Sequence, residues 1–260
     1  MTPRTLLSLS LLVFSLTLSA CAKPGKIGPI ATKQGSSASG ASAKSAGSAG
    51  SSTSMKRVAT LEELQAKATK GDPEAQFNLG MIYIEGSGVP KDSAKGRGFL
   101  EDAAKSGFPQ AMFNMGVIYY QGSDGVKQDL PKAREWFQKA ADAQDRLAQF
   151  NLGVMHYRGE GGVKNYAKAK EYFELATSQG YAEGAYNLGV MYAKGEGVTR
   201  NTIEAVAWFT IAGAQGHSDA DKVAQDLKAR LTKDEQKEAN ARSIELAKEV
   251  EARAHAPAPR

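Results

Sequence analysis

AQFNLGMIY, residues 75–83, returns as AMFNMGVIY at 111–119, as AQFNLGVMH at 148–156 and as GAYNLGVMY at 184–192. The asparagines of the four copies, Asn78, Asn114, Asn151 and Asn187, are spaced by 36, 37 and 36 residues. A period of this size marks a repeat array. Each unit is one supersecondary motif that buries its apolar face only against its neighbours.

Outward from the phrase, each unit reads as helix, glycine turn, helix. The first helix is predicted to end at Gly86, Gly122, Gly159 and Gly195, where glycine takes the left-handed C-cap conformation. Val89, Val126, Val163 and Val198 follow and are expected to pin the turn to the core. Asp92, Asp129, Asn165 and Asn201 then supply N-caps for the second helix. That helix carries the pairs Phe99-Leu100, Trp136-Phe137, Tyr172-Phe173 and Trp208-Phe209, and Ala103, Ala140, Ala176 and Ala212 one turn later leave room for close helix contact. Gly96, Gly184 and Gly213 break the alanine pattern of the end units, and each glycine costs about 0.5–1 kcal/mol against alanine in a helix, so those units are expected to be softer.

The array needs caps with a polar outer side. Thr60 and Glu63 form a capping box that opens a short helix ending near Lys70, and Asp72-Pro73 starts the first unit. Beyond the fourth unit, Ala220, Val223, Ala224, Leu227 and Leu231 mark one helix. A second capping box, Thr232 with Glu235, opens another with Ala239, Ser243, Leu246 and Val250 on one side.

The pattern A-x-(F/Y)-N-(L/M)-G-x-x-(Y/H)-x-x-G-x-G-V, followed by K-A-x-x-(W/Y)-F-x-x-A, resembles the Sel-one-like repeat (SLR), a cousin of the tetratricopeptide repeat, over residues 71–215. The resemblance implies an all-α, right-handed α-solenoid of four helix-turn-helix repeats with helical caps. Family members act as adaptors, which implies a protein or peptide partner. Some relatives serve polysaccharide export, which leaves a glycan-binding scaffold as the alternative. Cysteine-rich relatives linked to penicillin hydrolysis carry cysteine pairs unit by unit, and these are absent here.

In tetratricopeptide-like solenoids the first helices line the concave side. On them Ala75, Leu79 and Tyr83 make one face and Phe77, Met81 and Ile84 the opposite one, so the helix is apolar nearly all round. The equivalent sets are Phe113, Val117 and Tyr120; Phe150, Val154 and Tyr157; and Tyr186, Val190 and Ala193. These are expected to form an apolar groove edged by Glu85, Gln121, Arg158 and Lys194, fit for a peptide or an amphipathic helix. The competing expectation is that tight curvature closes them into core.

Charge and composition narrow the function. The chain has 33 bases and 28 acids, but residues 1–56 hold six bases and no acid, which leaves 27 against 28 for the remainder. A nucleic-acid binder needs a basic stripe on its folded surface, and this chain places its basic excess in the leader. The glycine turns lack the Gly-Lys-Ser/Thr of a phosphate loop. His156, standing where the other units have tyrosine, reads as a packing variant. No catalytic constellation, metal-ligand spacing or cofactor motif is legible, so neither an enzyme nor a cofactor is expected.

The leader supplies an address. Arg4 precedes an apolar run from Leu6 to Ala20 of signal-peptide length, and Leu18-Ser19-Ala20-Cys21 resembles the lipobox of bacterial lipoproteins. That resemblance implies cleavage after Ala20, diacylglycerol on Cys21, membrane contact through the lipid alone and, with Ala22 next, an outer-membrane position facing the periplasm. Residues 21–56 are rich in Gly, Ser, Ala and Lys and are expected to form a disordered tether with an r.m.s. span of roughly 30–35 Å. The expected organisation is therefore signal 1–20, linker 21–56, N-terminal cap 57–70, repeats 71–215, C-terminal caps 216–254 and a frayed tail 255–260.

Overall fold

The structure is a computed structural model and describes residues 60–255. The leader, Cys21, the linker, residues 57–59 and residues 256–260 lie outside the described residues. The described part holds eleven α-helices and no strand. After α1 (Leu61–Thr69) come four helix pairs: α2 (Pro73–Glu85) with α3 (Ser93–Lys105), α4 (Pro109–Gln121) with α5 (Leu130–Asp142), α6 (Arg146–Arg158) with α7 (Tyr166–Ser178), and α8 (Ala182–Lys194) with α9 (Thr202–Ala214). The chain ends with α10 (Ala220–Lys228) and α11 (Lys233–Ala254). Each first helix packs on its own second helix, and each second helix on the first helix of the next unit, which makes an all-α solenoid.

The local signals act as their chemistry requires. Gly86, Gly122, Gly159 and Gly195 close the first helices with φ of 76°, 68°, 77° and 77°, donating back to a carbonyl four residues earlier. The side chains of Asp92, Asp129 and Asn165 accept from the backbone N–H three residues on, and Asn201 from those of Ile203 and Glu204. Both capping boxes form, at Thr60 and at Thr232.

Within a unit the second-helix ring presses directly against the first-helix glycine. A Cβ on Gly116 would stand 2.6 Å from Phe137 Cδ1, on Gly153 2.7 Å from Phe173 Cδ1, and on Gly189 2.9 Å from Phe209 Cδ1. In the first unit Leu100 takes the ring's place over Gly80. Gly96 and Gly184 are close-approach positions rather than soft spots: a Cβ at Gly96 would sit 2.6 Å from Gly80 O and 2.7 Å from Ile84 Cγ1, and one at Gly184 2.7 Å from Phe173 O. The expectation that these two glycines merely weaken the end units is corrected, because alanine there would push the helices apart.

Units join through a left-handed residue, Gly71, Gly107, Gly180 or Gly216, with φ between 76° and 97°. The second joint of the array interior uses Gln144 instead, at φ 62°. A side chain in that region is strained by about 1 kcal/mol. Gln144→Gly is therefore expected to raise stability by about 0.5–1 kcal/mol in equilibrium urea unfolding; a loss would show that the amide side chain outweighs the strain.

One further expectation is corrected. Val89, Val126 and Val198 pack against the core clusters, but Val163 is 84 % exposed. The turn of the third unit carries an extra glycine, and Gly161 sits against the backbone of Leu130 and Pro131, so this turn is anchored by its backbone contact. At the C-terminus α10 takes the place of a fifth first helix on α9. The second capping helix, α11, does not stack beyond α10. It turns back across α9 and α7, burying Ala239 and Leu246 with Ser243 and Val250 half-buried beside them.

Candidate interaction surface

The apolar stripe of the first helices is core. Met81, Ile84, Phe113, Val117, Phe150, Val154, Tyr186 and Val190 are all buried, so the expectation of an open apolar groove is corrected. Part of the cause lies in the joints between units. Phe108 and Tyr181 occupy the N-cap position that Asp72 and Asp145 use, and His217 stands 36 residues after Tyr181, two residues before the α10 N-cap Asp219. Phe108 and Tyr181 make no capping hydrogen bond, and their rings cover the preceding unit: Phe108 lies 5.3 Å from Phe77, and Tyr181 5.0 Å from Phe150. His217 stacks on Tyr186 at 4.1 Å. Burial, with Glu183 adding to it, pushes the Tyr181 hydroxyl up to about 12. Neighbouring first helices complete the closure, with Met81 and Ile84 in one cluster with Met115 and Ile118, and Phe113 and Val117 in another with Leu152 and Met155.

What stays accessible is the turn edge. Tyr120 and Tyr157 there are half-buried and Lys194 is exposed, while Phe77, also half-buried, lies at the joint against Phe108. The Tyr120 hydroxyl donates to Glu160 Oε2 in the turn of the next unit at 2.8 Å, and the Tyr157 hydroxyl donates to Glu196 one unit further on. Burial, reinforced by Glu160, raises the Tyr120 pKa. Arg158 Nη1 closes on Glu160 Oε1 at 3.1 Å. At the first junction the same role falls to Asp124, which accepts from Ser93 at its carboxylate and from Arg97 at its carbonyl. Each turn is thus latched to the next, and the edge presents amphipathic tyrosine rings beside charges of both signs. Such a surface suits recognition of another protein, because tyrosine and arginine supply rigid contact area with few rotamers to freeze.

His156 is held in the wall between the second and third units. It is 3 % exposed, stacks on Tyr172 at 5.6 Å and receives Arg134 Nη2 at 2.5 Å from Nδ1. Burial, then the Arg134 and Lys168 charges, lower its pKa to about 4. The other units place tyrosine here, and in two of them a lysine covers the ring: Lys95 Nζ is 4.1 Å from the centroid of Tyr83, and Lys132 Nζ 4.2 Å from that of Tyr119.

Among the described residues no three of His, Cys, Asp and Glu gather in a metal-holding group. No helix among them is long and apolar enough to cross a membrane.

One feature of α9 went unread in the sequence. Val206, Ala207 and Ile211 are buried on its outer side, at positions where α5 carries Arg134, Glu135 and Lys139. The signal was present as an uninterrupted apolar run, AVAWF, in a helix whose counterparts alternate with charge.

The family model described as the Sel1 repeat matches residues 73–108, 109–145, 146–181 and 182–217, more than half of the chain. Among solved structures the chain is similar to a protective antigen present in uropathogenic Escherichia coli strains, which displays an SLR fold, at 29 % identity and a TM-score of 0.64. That match covers 72 % of this chain and 41 % of the antigen, so the chain spans about two fifths of that protein's length. A Sel1 repeat protein from Oxalobacter formigenes is similar at 29 % identity and a TM-score of 0.59, over 71 % of this chain and 78 % of that one. No curated protein matches the chain. With four consecutive units matched and the solenoid formed around their glycine–aromatic contacts, the chain belongs to the Sel1 repeat family, whose members act as protein-interaction scaffolds and are generally non-catalytic.

Proposed function

We propose that this chain is a lipid-anchored scaffold of the bacterial cell envelope that binds a protein partner along the turn edge of its repeats. The observation that carries the reading is the latched edge itself. Tyr120 and Tyr157 hold consecutive turns in register, leaving half-buried rings beside Gln121, Arg158 and Lys194 on a rigid frame. With the first-helix stripe buried, the turn edge is the accessible surface that supports this reading. Rigid presentation favours affinity, since less order is imposed on binding.

A photo-crosslinking residue at the exposed positions Gln121 and Lys194 is expected to trap a protein in cells. Capture of glycan alone, or of nothing above the same probe placed at Asp142 on the far side, would overturn the protein-scaffold reading. The address rests on the leader, where Arg4, the apolar run to Ala20 and Cys21 support lipidation. Several acyl chains hold a protein stably where one binds only marginally. Cys21→Ala is expected to move the protein from the membrane to the soluble fraction on ultracentrifugation; a variant still pelleting with membranes would remove the lipid as the tether.

A further inference from the structure

The outer side of α9 is built for a helix to lie on, and α11 is the helix that lies there. In every earlier unit the following first helix also packs on the second helix, yet the positions of Val206 and Ala207 remain half or fully exposed and carry Arg97 and Gly98, Arg134 and Glu135, or Lys170 and Glu171. Only in α9 are these positions apolar and buried, and α11 lies mainly across α9, reaching α7 with its C-terminal part. The cover is thin. Of the 22 residues of α11, Ala239 and Leu246 alone are buried.

Besides that apolar contact, two ion pairs tie α11 to the array. Arg242 Nε meets Glu204 Oε1 of α9 at 2.6 Å, and eleven residues on, three helical turns later, Arg253 Nη1 meets Glu174 Oε2 of α7 at 2.8 Å. Both carboxylates are largely shielded by protein, with side chains 20 % and 15 % exposed. Glu204 Oε2 is buried without a hydrogen-bond partner, and Glu174 also receives Lys170.

We propose that the α7–α9 face is a second docking surface, whose outside ligand is an amphipathic helix carrying two arginines three turns apart, and that α11 is a displaceable strap occupying it in cis. This rests on the scaffold reading and assigns it a site distinct from the turn edge. The ligand chemistry is that of α11 itself: arginine at the Arg242 and Arg253 positions and an apolar side chain at the Leu246 position between them. Displacement exchanges one helix for another, so the apolar floor never meets water and the cost of opening stays small.

The test uses the full chain and a fluorescein-labelled peptide of residues 233–254. Arg242→Ala with Arg253→Ala loosens the strap and leaves the floor intact. The double variant is expected to bind the peptide at least tenfold more tightly than the unaltered chain by anisotropy. Amides of 239–250 are expected to exchange at least tenfold faster, while those of 148–156 in α6 keep their rate. A peptide carrying Arg242→Glu and Arg253→Glu is expected not to bind. Should the double variant unfold, the unaltered chain in 1 M salt, where the Debye length falls to about 3 Å, is expected to show the same selective exchange. Peptide binding blind to the charge reversal, no binding by the loosened chain, or α11 and α9 exchanging as one unit in high salt would each overturn the proposal. None of these results bears on crosslinking from Gln121 and Lys194, so the two readings fail separately.

Discussion

Phe173→Ala is expected to cost about 3–5 kcal/mol, the range for truncating a fully buried aromatic ring. Phe173 is 1 % exposed, presses against Gly153 and meets Phe150 at 5.8 Å, so its ring joins both helices of the third unit. That unit is internal, and in a linear array the loss is felt at both of its interfaces. Urea unfolding measures the change. The mechanism has its own signature in a double-mutant cycle. Gly153→Ala alone forces a Cβ to within 2.7 Å of Phe173 Cδ1, whereas in the Phe173→Ala chain that contact is gone. The two substitutions are expected to cost less together than the sum of the singles, by about 1 kcal/mol or more. Simple additivity would mean that the glycine is present for another reason.

Acidification is the second large effect. His156 is held neutral in the fold with a pKa of about 4 against 6.5 for the free side chain. Between those values the unfolded chain binds a proton that the folded chain refuses, so stability falls as pH drops from about 6.5 to about 4 and levels off below. At about 1.4 kcal/mol per pH unit the full loss is about 3 kcal/mol. Asp145, whose pKa burial raises, works in the opposite direction at low pH, so the comparison must be made between chains. His156→Tyr restores the residue of the other three units and is expected to flatten this part of the profile in urea unfolding at pH 4 and pH 7. An unchanged slope would assign the acid sensitivity elsewhere.

The repeat units were legible because their signals are local. A glycine at φ near 76° or an aspartate accepting from the third amide onward is decided within four or five residues, so turns, caps and period could be read directly. The fate of Phe77, Phe150 and Tyr186 could not. Their covers, Phe108, Tyr181 and His217, lie 31 residues further along, and the joint position alternates between capping and covering by residue type. His156 was readable as a replacement for tyrosine, but Arg134 reaching it from the preceding unit was not.

Local patterning specifies the all-α repeat array: its four units, its period, its turns and its caps. Which apolar residues become core is settled by how the units pack on one another. Packing of neighbouring units, with the covering rings at their joints, closes the stripe from Met81 to Val190 and leaves Tyr120 and Tyr157 at the edge. It also decided the path of α11. Its capping box and apolar side specify a helix that must pack somewhere, but Glu204 and Glu174 are 38 and 79 residues from the arginines they hold. Hydrogen bonds along a helix are set by neighbours in the chain, whereas the partner of an exposed face is set by whichever surface the completed array leaves uncovered.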